Sequence, residues 1–302
     1  METLCLALDW TPNINHIGFF VAREQGFYQA EGLAVEIIDP LADNYATTPA
    51  KKVELGVADF ALCPTESIIS YRTKSTPFDL IAIAAILQED LSAITVRNDP
   101  NITRPKDLDG KTYASYHARY EDEIVRQLII NDGGVGNIQL HYPEKLGIWE
   151  TIVNGKYDAT WIFMNWEGVE ATTQNIPLRY FKMQDYKVPY SYSPVIAASE
   201  QSIQARTEAY RKFLNATKRG YLYAKHHPKL ATDILKPYIP KTDESIDLLL
   251  ALEISAPAFG NESTWGKMKA STVENFLQWL QQKGLEHQQL LLNQVMTNRL
   301  ND

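Results

Sequence analysis

The sequence predicts a two-lobed α/β protein in which each lobe is a mostly parallel sheet flanked by helices, with a ligand cleft between the lobes. Its length of 302 residues exceeds the usual size of one compact core and suits two lobes. Hydrophobic residues make up 45% of the chain and charged residues 22%, which is typical of a protein that folds throughout. Short apolar runs alternate with longer helical patterns, as they do in proteins built on largely parallel sheets.

Apolar runs and helical spacing predict the elements of the first part of the chain. Strands are expected at residues 4–9, 35–38, 60–63, 80–87 and 93–96. Helices are expected at residues 16–29, 48–55 and from 64 onward. Thr65 is a candidate N-cap of the third helix, which leaves Glu66 in its first turn. A boundary between lobes is expected near Gln88.

A second unit of the same kind follows. Strands are expected at residues 111–114, 138–141 and 159–163, and helices at 120–131 and 148–154. The tyrosine-rich segment 186–192 returns the chain to the first lobe, where a strand at 195–198 and helices from 204 complete it. Lobe 1 is therefore predicted to comprise residues 1–88 and 190–302, and lobe 2 the inserted residues 89–189. The carboxyl ends of the strands should face the cleft between them.

Charge and composition exclude several classes of partner and site. There are 29 Lys and Arg against 37 Asp and Glu, scattered along the chain, so nucleic acid is not an expected partner. No apolar run approaches the roughly 20 residues that span a bilayer. The two cysteines argue against a disulfide framework, and no metal site is predicted. With no signal peptide, the chain as written is expected in the cytoplasm; a truncated mature form would instead be periplasmic or surface-tethered.

Several segments resemble one known group of proteins. Residues 6–16 read LALDWTPNINH and are followed by GFY at 26–28 and EGL at 31–33. The similarity returns in KV at 52–53, GVADFAL at 56–62, PTE at 64–66, DLDGK at 107–111, GKYDA at 155–159 and YKVPY at 186–190. These segments resemble the formylaminopyrimidine-binding proteins of bacterial thiamine-salvage transporters and the fungal-type thiamine-pyrimidine synthases, with sulfonate-binding proteins more distantly related.

The resemblance implies a periplasmic-binding-protein type II fold that closes on a small, flat heterocycle, with a thiamine-pyrimidine precursor as the expected ligand. It also implies an ABC permease as partner if the chain is exported. An aromatic heterocycle needs stacking on its faces and hydrogen bonds at its edges. Trp10, Asn13 and His16, which follow the first strand, offer both, and Glu66 is expected to accept hydrogen bonds from an exocyclic amine. The alternative is that these residues only pack or cap.

Two further loops and the second crossing complete the expected site. The loop after the strand at 111–114 contributes Ser115, Tyr116, His117 and Arg119. In the synthases the corresponding loop is glycine-rich and resembles a phosphate cradle, whereas here it has no glycine, so a phosphorylated ligand is not indicated. The strand at 159–163 is followed by Asn165, Trp166 and Glu167, and the crossing carries Tyr186 and Tyr190. Packing in the core is the alternative for each of these side chains.

Enzyme chemistry is less expected than binding. The synthases consume a histidine of their own, hold pyridoxal phosphate near a lysine and carry a cysteine-rich run. Residues 61–67 contain no histidine, Leu62 or Cys63 takes the approximate place of the lysine, and residues 188–194 contain no cysteine. We therefore predict a binding protein with no cofactor and no assigned catalytic residue. The alternative is a cytoplasmic enzyme of thiamine-pyrimidine biosynthesis on the same scaffold.

Overall fold

Two five-stranded sheets form the framework of the protein, whose computed structural model describes residues 1–301. Buried apolar runs form most of the strands, and the central ones are almost entirely inaccessible to water. The strands are β1 Glu2–Ala7, β2 Leu33–Ile38, β3 Phe60–Cys63, β4 Leu80–Ala85, β5 Ser92–Arg97, β6 Thr112–Ala114, β7 Gln139–His141, β8 Ala159–Phe163, β9 Leu178–Phe181 and β10 Val195–Ser199.

The two sheets share one topology. The first has the order β2-β1-β3-β10-β4, and the second has the order β7-β6-β8-β5-β9. In the first sheet β10 runs antiparallel to both of its neighbours, and in the second sheet β5 does so. The other four strands of each sheet run in one direction, which confirms the predicted mostly parallel sheets. In each sheet the antiparallel strand is the one that enters directly from the other sheet.

Helices flank both sheets and dominate the C-terminal third. They are α1 Ile17–Glu24, α2 Phe27–Ala30, α3 Pro49–Glu54, α4 Thr65–Thr73, α5 Glu121–Asn131, α6 Ile148–Val153, α7 Glu167–Thr173, α8 Glu200–Ala205, α9 Thr207–His226, α10 Pro228–Leu235, α11 Leu248–Ser255, α12 Ala270–Gln282 and α13 Leu292–Val295. Short 3₁₀ turns lie at Ile14–His16, Pro40–Asp43, Pro105–Leu108, Lys145–Gly147, Met183–Tyr186, Lys236–Tyr238, Lys241–Asp243 and Ala256–Phe259. Within residues 1–301, no helix has both the length and the apolar character to cross a bilayer.

Three local predictions need correction. The helix expected at residues 16–29 is two helices, α1 and α2, because Gly26 adopts the left-handed conformation with φ of 71°. The strand β9 was not predicted. Thr65 is not an N-cap, since Pro64 takes that position and the Thr65 hydroxyl donates to the carbonyl of Tyr192 at 2.8 Å. The lobe boundaries at residues 88–89 and 189–190 stay a prediction.

The packing of α9 against α1 connects the core to the functional region. Gly220 of α9 lies against the backbone of Gly18 in α1, so that a methyl group on Gly220 would overlap the Gly18 carbonyl oxygen. The neighbouring Tyr221 ring is fully buried, and its hydroxyl donates to the backbone oxygen of Asn15 at 2.5 Å. The close contact of the two helices therefore fixes the backbone that follows β1.

Candidate functional site

A cavity of about 170 Å³ lies between the two sheets. Its walls come from β8 and from the segments that follow β1, β6 and β8. Loops beyond the carboxyl ends of strands meet at such a crevice in open α/β sheets, and a crevice there is a common ligand site. Five aromatic side chains dominate the wall, namely Trp10, Tyr116, Trp161, Phe163 and Trp166. Trp10 follows β1 of the first sheet, and the other four belong to β8 or follow β6 and β8 of the second sheet.

Four polar side chains also line the cavity, and three of them follow β1. Asp9, Asn13 and Asn15 lie together with His16 in one hydrogen-bonded turn. The backbone N–H of Asn13 donates to Nδ1 of His16 at 3.2 Å, so the ring proton is on Nε2. Nε2 of His16 therefore donates to Oδ1 of Asp9, and the two atoms lie 2.8 Å apart. His16 is only 1% exposed and stands behind Asp9, so it orients this carboxylate and does not line the cavity.

Glu167 is the fourth polar side chain of the wall, and it begins α7 just after β8. Its Oε2 accepts a hydrogen bond from the backbone N–H of Phe163 at 3.0 Å. Burial raises the pKa of this carboxyl to about 7, and the acidic Glu170 and Asp243 add to the shift. Glu167 is therefore a cavity carboxyl that can either donate or accept a hydrogen bond near neutral pH.

The loop that carries Tyr116 has its own internal carboxylate. Glu121, the first residue of α5, accepts from the backbone N–H groups of Tyr116 at 3.0 Å and Ala118 at 3.1 Å, and from the hydroxyl of Tyr113 at 2.8 Å. A phosphate cradle would need those N–H groups for the ligand. Because Glu121 already occupies them, the loop is not arranged to hold a phosphate, in agreement with the missing glycines.

Glu66 and Tyr190 lie behind the aromatic wall. The Tyr190 ring packs against Trp161 with centroids 5.0 Å apart, and its hydroxyl donates to Oε1 of Glu66 at 3.3 Å. Glu66 is 6% exposed, and its Oε2 has no hydrogen-bond partner within residues 1–301. Burial first, and then repulsion by Glu121, raise the pKa of Glu66 to about 7. Glu66 lies in α4, which follows β3 of the first sheet, whereas Glu121 begins α5, which follows β6 of the second.

The remaining predicted site residues lie away from the cavity wall. Asn165 is buried and donates through Nδ2 to Oδ1 of Asn15 at 2.8 Å, so it supports the turn after β1. Ser115 donates to Asp122, and the exposed His117 packs on Tyr142 with ring centroids 4.6 Å apart.

Two more predicted residues contact parts of the chain far from the cavity. Arg119 pairs with Glu286 at 2.7 Å, and Tyr186 packs edge-on against Phe181. A ligand role for these two residues, and for Asn165, Ser115 and His117, stays a prediction.

Half of the cavity wall was not identified from the sequence. The predicted members are Trp10, Asn13, Tyr116, Trp166 and Glu167, and the missed ones are Asp9, Asn15, Trp161, Ile162 and Phe163. The position of Asp9 just after β1 was the available signal, since strand ends face the cleft. The residues of β8 gave no such signal, because a run of apolar residues in a central strand usually packs in the core.

Two further observations concern metal ligands and thiol reactivity. Within residues 1–301, no three His, Cys, Asp or Glu side chains are grouped so as to hold a metal ion. Cys63 is 3% exposed, and burial raises the pKa of its thiol, so it is not a ready nucleophile.

Comparison with known proteins agrees with this architecture. The chain superposes on the ligand-binding component of an ABC-type import system from Staphylococcus aureus with a TM-score of 0.72 and 10% identity, covering 99% of this chain and 98% of that one. It is 25% identical over 292 residues to the formylaminopyrimidine-binding protein of Halalkalibacterium halodurans, covering 93% of this chain and 85% of that protein.

A synthase and a family profile match as well. The 4-amino-5-hydroxymethyl-2-methylpyrimidine phosphate synthase of Legionella pneumophila is 23% identical over 233 residues, which cover 76% of this chain and 72% of the synthase. The profile described as NMT1/THI5 like matches residues 13–231. The fold is that of the periplasmic binding proteins, and the chain belongs to the NMT1/THI5-like family.

Proposed function

We propose that this protein is a solute-binding protein that takes a small aminopyrimidine-like heterocycle into the cavity between its sheets, in thiamine biosynthesis or salvage. The observation that carries the proposal is a cavity lined by five aromatic side chains and by the carboxyl of Glu167. An aromatic ring with polar edges is the kind of ligand that such a combination suits. The name of the Halalkalibacterium relative supports the same class.

The size of the cavity supports a single ring. Pockets for drug-sized ligands usually measure roughly 300–1,000 Å³. The cavity here is about 170 Å³, which suits a monocyclic heterocycle better than a three-ring flavin. Aromatic side chains from both halves of the structure line the cavity: Trp10 follows β1 of the first sheet, and the other four belong to β8 or follow β6 and β8 of the second sheet.

Glu167 is the best candidate to form hydrogen bonds with the polar edge of the ring. An aminopyrimidine presents a ring nitrogen beside an exocyclic amine, that is, one acceptor beside two donors. A protonated carboxyl can donate to the nitrogen and accept from the amine, which makes a paired hydrogen bond. The raised pKa of Glu167, about 7, keeps the protonated form available near neutral pH. Asp9, Asn13 and Asn15 supply acceptors and donors elsewhere on the wall.

Binding without bond chemistry is the reading that the residues favour. The synthase mechanism requires a histidine in the segment 61–67 and cysteines near 188–194, and the sequence has neither. Cys63, the one thiol near the site, is buried with a raised pKa. We therefore favour a binding protein over the enzyme on the same scaffold.

The proposal includes the domain division and the partner. Residues 1–88 with 190–302 form one lobe, and residues 89–189 form the inserted lobe; the two chain crossings between the sheets support this division. If the chain is exported, its partner is an ABC permease and it is periplasmic or surface-tethered. The structural relative that is a component of an ABC-type import system supports this partner.

Thermal unfolding with candidate ligands tests the proposal. Formylaminopyrimidine or hydroxymethylpyrimidine at about 100 times its Kd should stabilise the protein by about 2.7 kcal/mol, which raises Tm by several degrees. An alkyl sulfonate and riboflavin serve as competing classes. A shift with either of these and none with the pyrimidines would refute the assignment.

Three variants test the residues. Glu167→Ala removes both the donor and the acceptor of the paired hydrogen bond, and it should weaken pyrimidine binding by roughly tenfold or more. Glu167→Gln offers the same donor beside an acceptor as a protonated carboxyl, and it should therefore bind the pyrimidine far better than Glu167→Ala does. Trp10→Ala should weaken binding about as much as Glu167→Ala does, by removing one aromatic wall. Tyr142→Ala is the matched control, because Tyr142 is an exposed aromatic residue outside the cavity wall, and it should bind as the parent protein does.

A further inference from the structure

A second cavity of about 240 Å³ adjoins the first. Trp10, Tyr116, Trp166 and Glu167 line both of them, so the two spaces are separated only by shared side chains. We call this second cavity the vestibule. A substituent on a ring held in the first cavity would extend into the vestibule or toward the walls of the vestibule.

The charges around the vestibule are unbalanced. Glu150, Glu170 and Asp243 line it together with Glu167, whereas the cations on its wall are Lys145 and Lys241. The acids interact with one another: burial raises the pKa of Glu170, and repulsion by Asp243 and Glu150 raises it further. Neither lysine forms an ion pair with another residue of the described chain, so neither neutralises a particular acid. The potential in the vestibule is therefore unfavourable to an anion.

An independent feature points to a ligand in the same place. Trp149 lines the vestibule, is only 8% exposed, and has no hydrogen-bond acceptor for its Nε1–H within the described residues. The Glu170 carboxylate lies beside this indole, and the contact partly offsets the rise in the pKa of Glu170, but it is not a well-formed hydrogen bond to the Nε1–H. A buried N–H group without an acceptor is costly, and a ligand oxygen would satisfy it.

Two backbone N–H groups of the loop after β6 are not available to an anion. The N–H groups of Tyr116 and Ala118 are taken by the carboxylate of Glu121. With a ring bound and Glu167 protonated, a phosphate in the vestibule would still face three other acids, Glu150, Glu170 and Asp243, against two lysines, Lys145 and Lys241.

We infer that the vestibule receives the substituent of the ring and selects an uncharged polar or cationic arm that bears a hydrogen-bonding group, and that it rejects a phosphate. This inference rests on the proposed function, because it assumes that a pyrimidine ring occupies the first cavity. Trp149 donates to an oxygen of the arm, and the acids of the vestibule accept its N–H or O–H groups.

Calorimetric titration with one ring and four arms tests this inference. The probes are hydroxymethylpyrimidine, aminomethylpyrimidine, formylaminopyrimidine and hydroxymethylpyrimidine phosphate, at about pH 7.5, where the phosphate carries nearly two negative charges. We expect the phosphate to bind at least tenfold more weakly than the hydroxymethyl compound, and the cationic aminomethyl compound to bind at least as tightly as the hydroxymethyl one. In the protein that carries both Glu150→Gln and Glu170→Gln, the ratio of the Kd for the phosphate to the Kd for the hydroxymethyl compound should fall at least threefold.

Two more variants complete the test. Trp149→Phe keeps an aromatic side chain but removes the Nε1–H donor. It should weaken the binding of formylaminopyrimidine more than the binding of aminomethylpyrimidine. Glu262→Gln, on an exposed surface residue outside both cavities, should leave every ratio unchanged. If the phosphate binds as tightly as the hydroxymethyl compound, the inference is wrong while the proposed function stands. If none of the four pyrimidines binds, the proposed function fails, and this inference fails with it.

Discussion

Replacing Glu66 by glutamine tests whether a buried charge between the two sheets limits stability at neutral pH. Glu66 lies at the start of α4, which follows β3 of the first sheet, and its repulsive partner Glu121 begins α5, which follows β6 of the second sheet. Tyr190 donates to one of its oxygens, and the other oxygen has no partner within residues 1–301. Glutamine keeps an acceptor for Tyr190 and has almost the same volume, so the substitution removes chiefly the charge.

The size of the effect follows from the pKa of Glu66. Burial and Glu121 raise this pKa from 4.5 to about 7 in the folded protein. At about 1.36 kcal/mol for each pKa unit, ionised Glu66 costs the folded state about 3 kcal/mol relative to the unfolded chain. Below pH 4.5 both states hold the proton and no cost arises. The cost grows as the pH rises from 4.5, and it is complete once the pH exceeds the folded-state value of about 7.

The sign therefore favours the variant only at higher pH. Near pH 4.5 the free energy of unfolding of Glu66→Gln should lie within about 1 kcal/mol of that of the parent protein. At about pH 8 it should be more stable by up to about 3 kcal/mol, which corresponds to a Tm higher by several degrees for a chain of this length. The measurement is thermal unfolding of both proteins, without ligand, from pH 4.5 to 8.5 in steps of about half a unit.

A control and a clear refutation make this test decisive. Glu208 lies exposed in the first turn of α9, and Glu208→Gln should follow the parent protein at every pH to within about 0.5 kcal/mol. If the difference between Glu66→Gln and the parent protein stays constant across the pH range, Glu66 does not titrate between 4.5 and 7 in the folded state. The account of its buried charge would then be wrong.

Two further substitutions test the packing and the contact between the sheets. Gly220→Ala should lower the free energy of unfolding by at least about 2 kcal/mol in chemical denaturation, because the added methyl group overlaps the carbonyl of Gly18. Gly147 has open space around it, so Gly147→Ala should lower the free energy of unfolding by less than about 1 kcal/mol in the same assay. Arg119→Met removes the ion pair with Glu286 and should cost about 1 kcal/mol, since the arginine is partly exposed and the glutamate keeps other donors. This loss should shrink in about 1 M salt, and an undiminished loss would contradict an ionic origin.

Sequence periodicity predicts the buried strands well and the edges poorly. The apolar runs at 60–63 and 159–163 coincide with β3 and β8, because a central strand covered on both faces has an uninterrupted apolar sequence. The strand β9 is different. It is an edge strand of four residues that pairs with β5 alone, and its side chains are mostly half-exposed or exposed, so no apolar run marks it. The break after α1 was readable from Gly26.

For the site, the rule that strand ends face the cleft was more informative than residue type. It identified Trp10 and Glu167, which line the cavity, and it would also have identified Asp9. Contacts between distant parts of the chain were out of reach. Arg119 meets Glu286 at a separation of 167 residues, and Tyr190 meets Glu66 at a separation of 124. One sequence contains no information that pairs such positions.

The buried acids and the cavity depend on the same arrangement of the two sheets. Trp10 follows β1 of the first sheet and Tyr116 follows β6 of the second. A ring bound between them, as proposed, would contact this arrangement better than one in which the sheets stand apart. A ligand with such a preference must shift the protein toward this arrangement. Ionised Glu66 works against it, because its repulsion by Glu121 acts across the two sheets. If the protein binds a ring as proposed, the protonation of Glu66 would therefore be coupled to ligand affinity as well as to stability, although Glu66 lies behind the wall of the cavity.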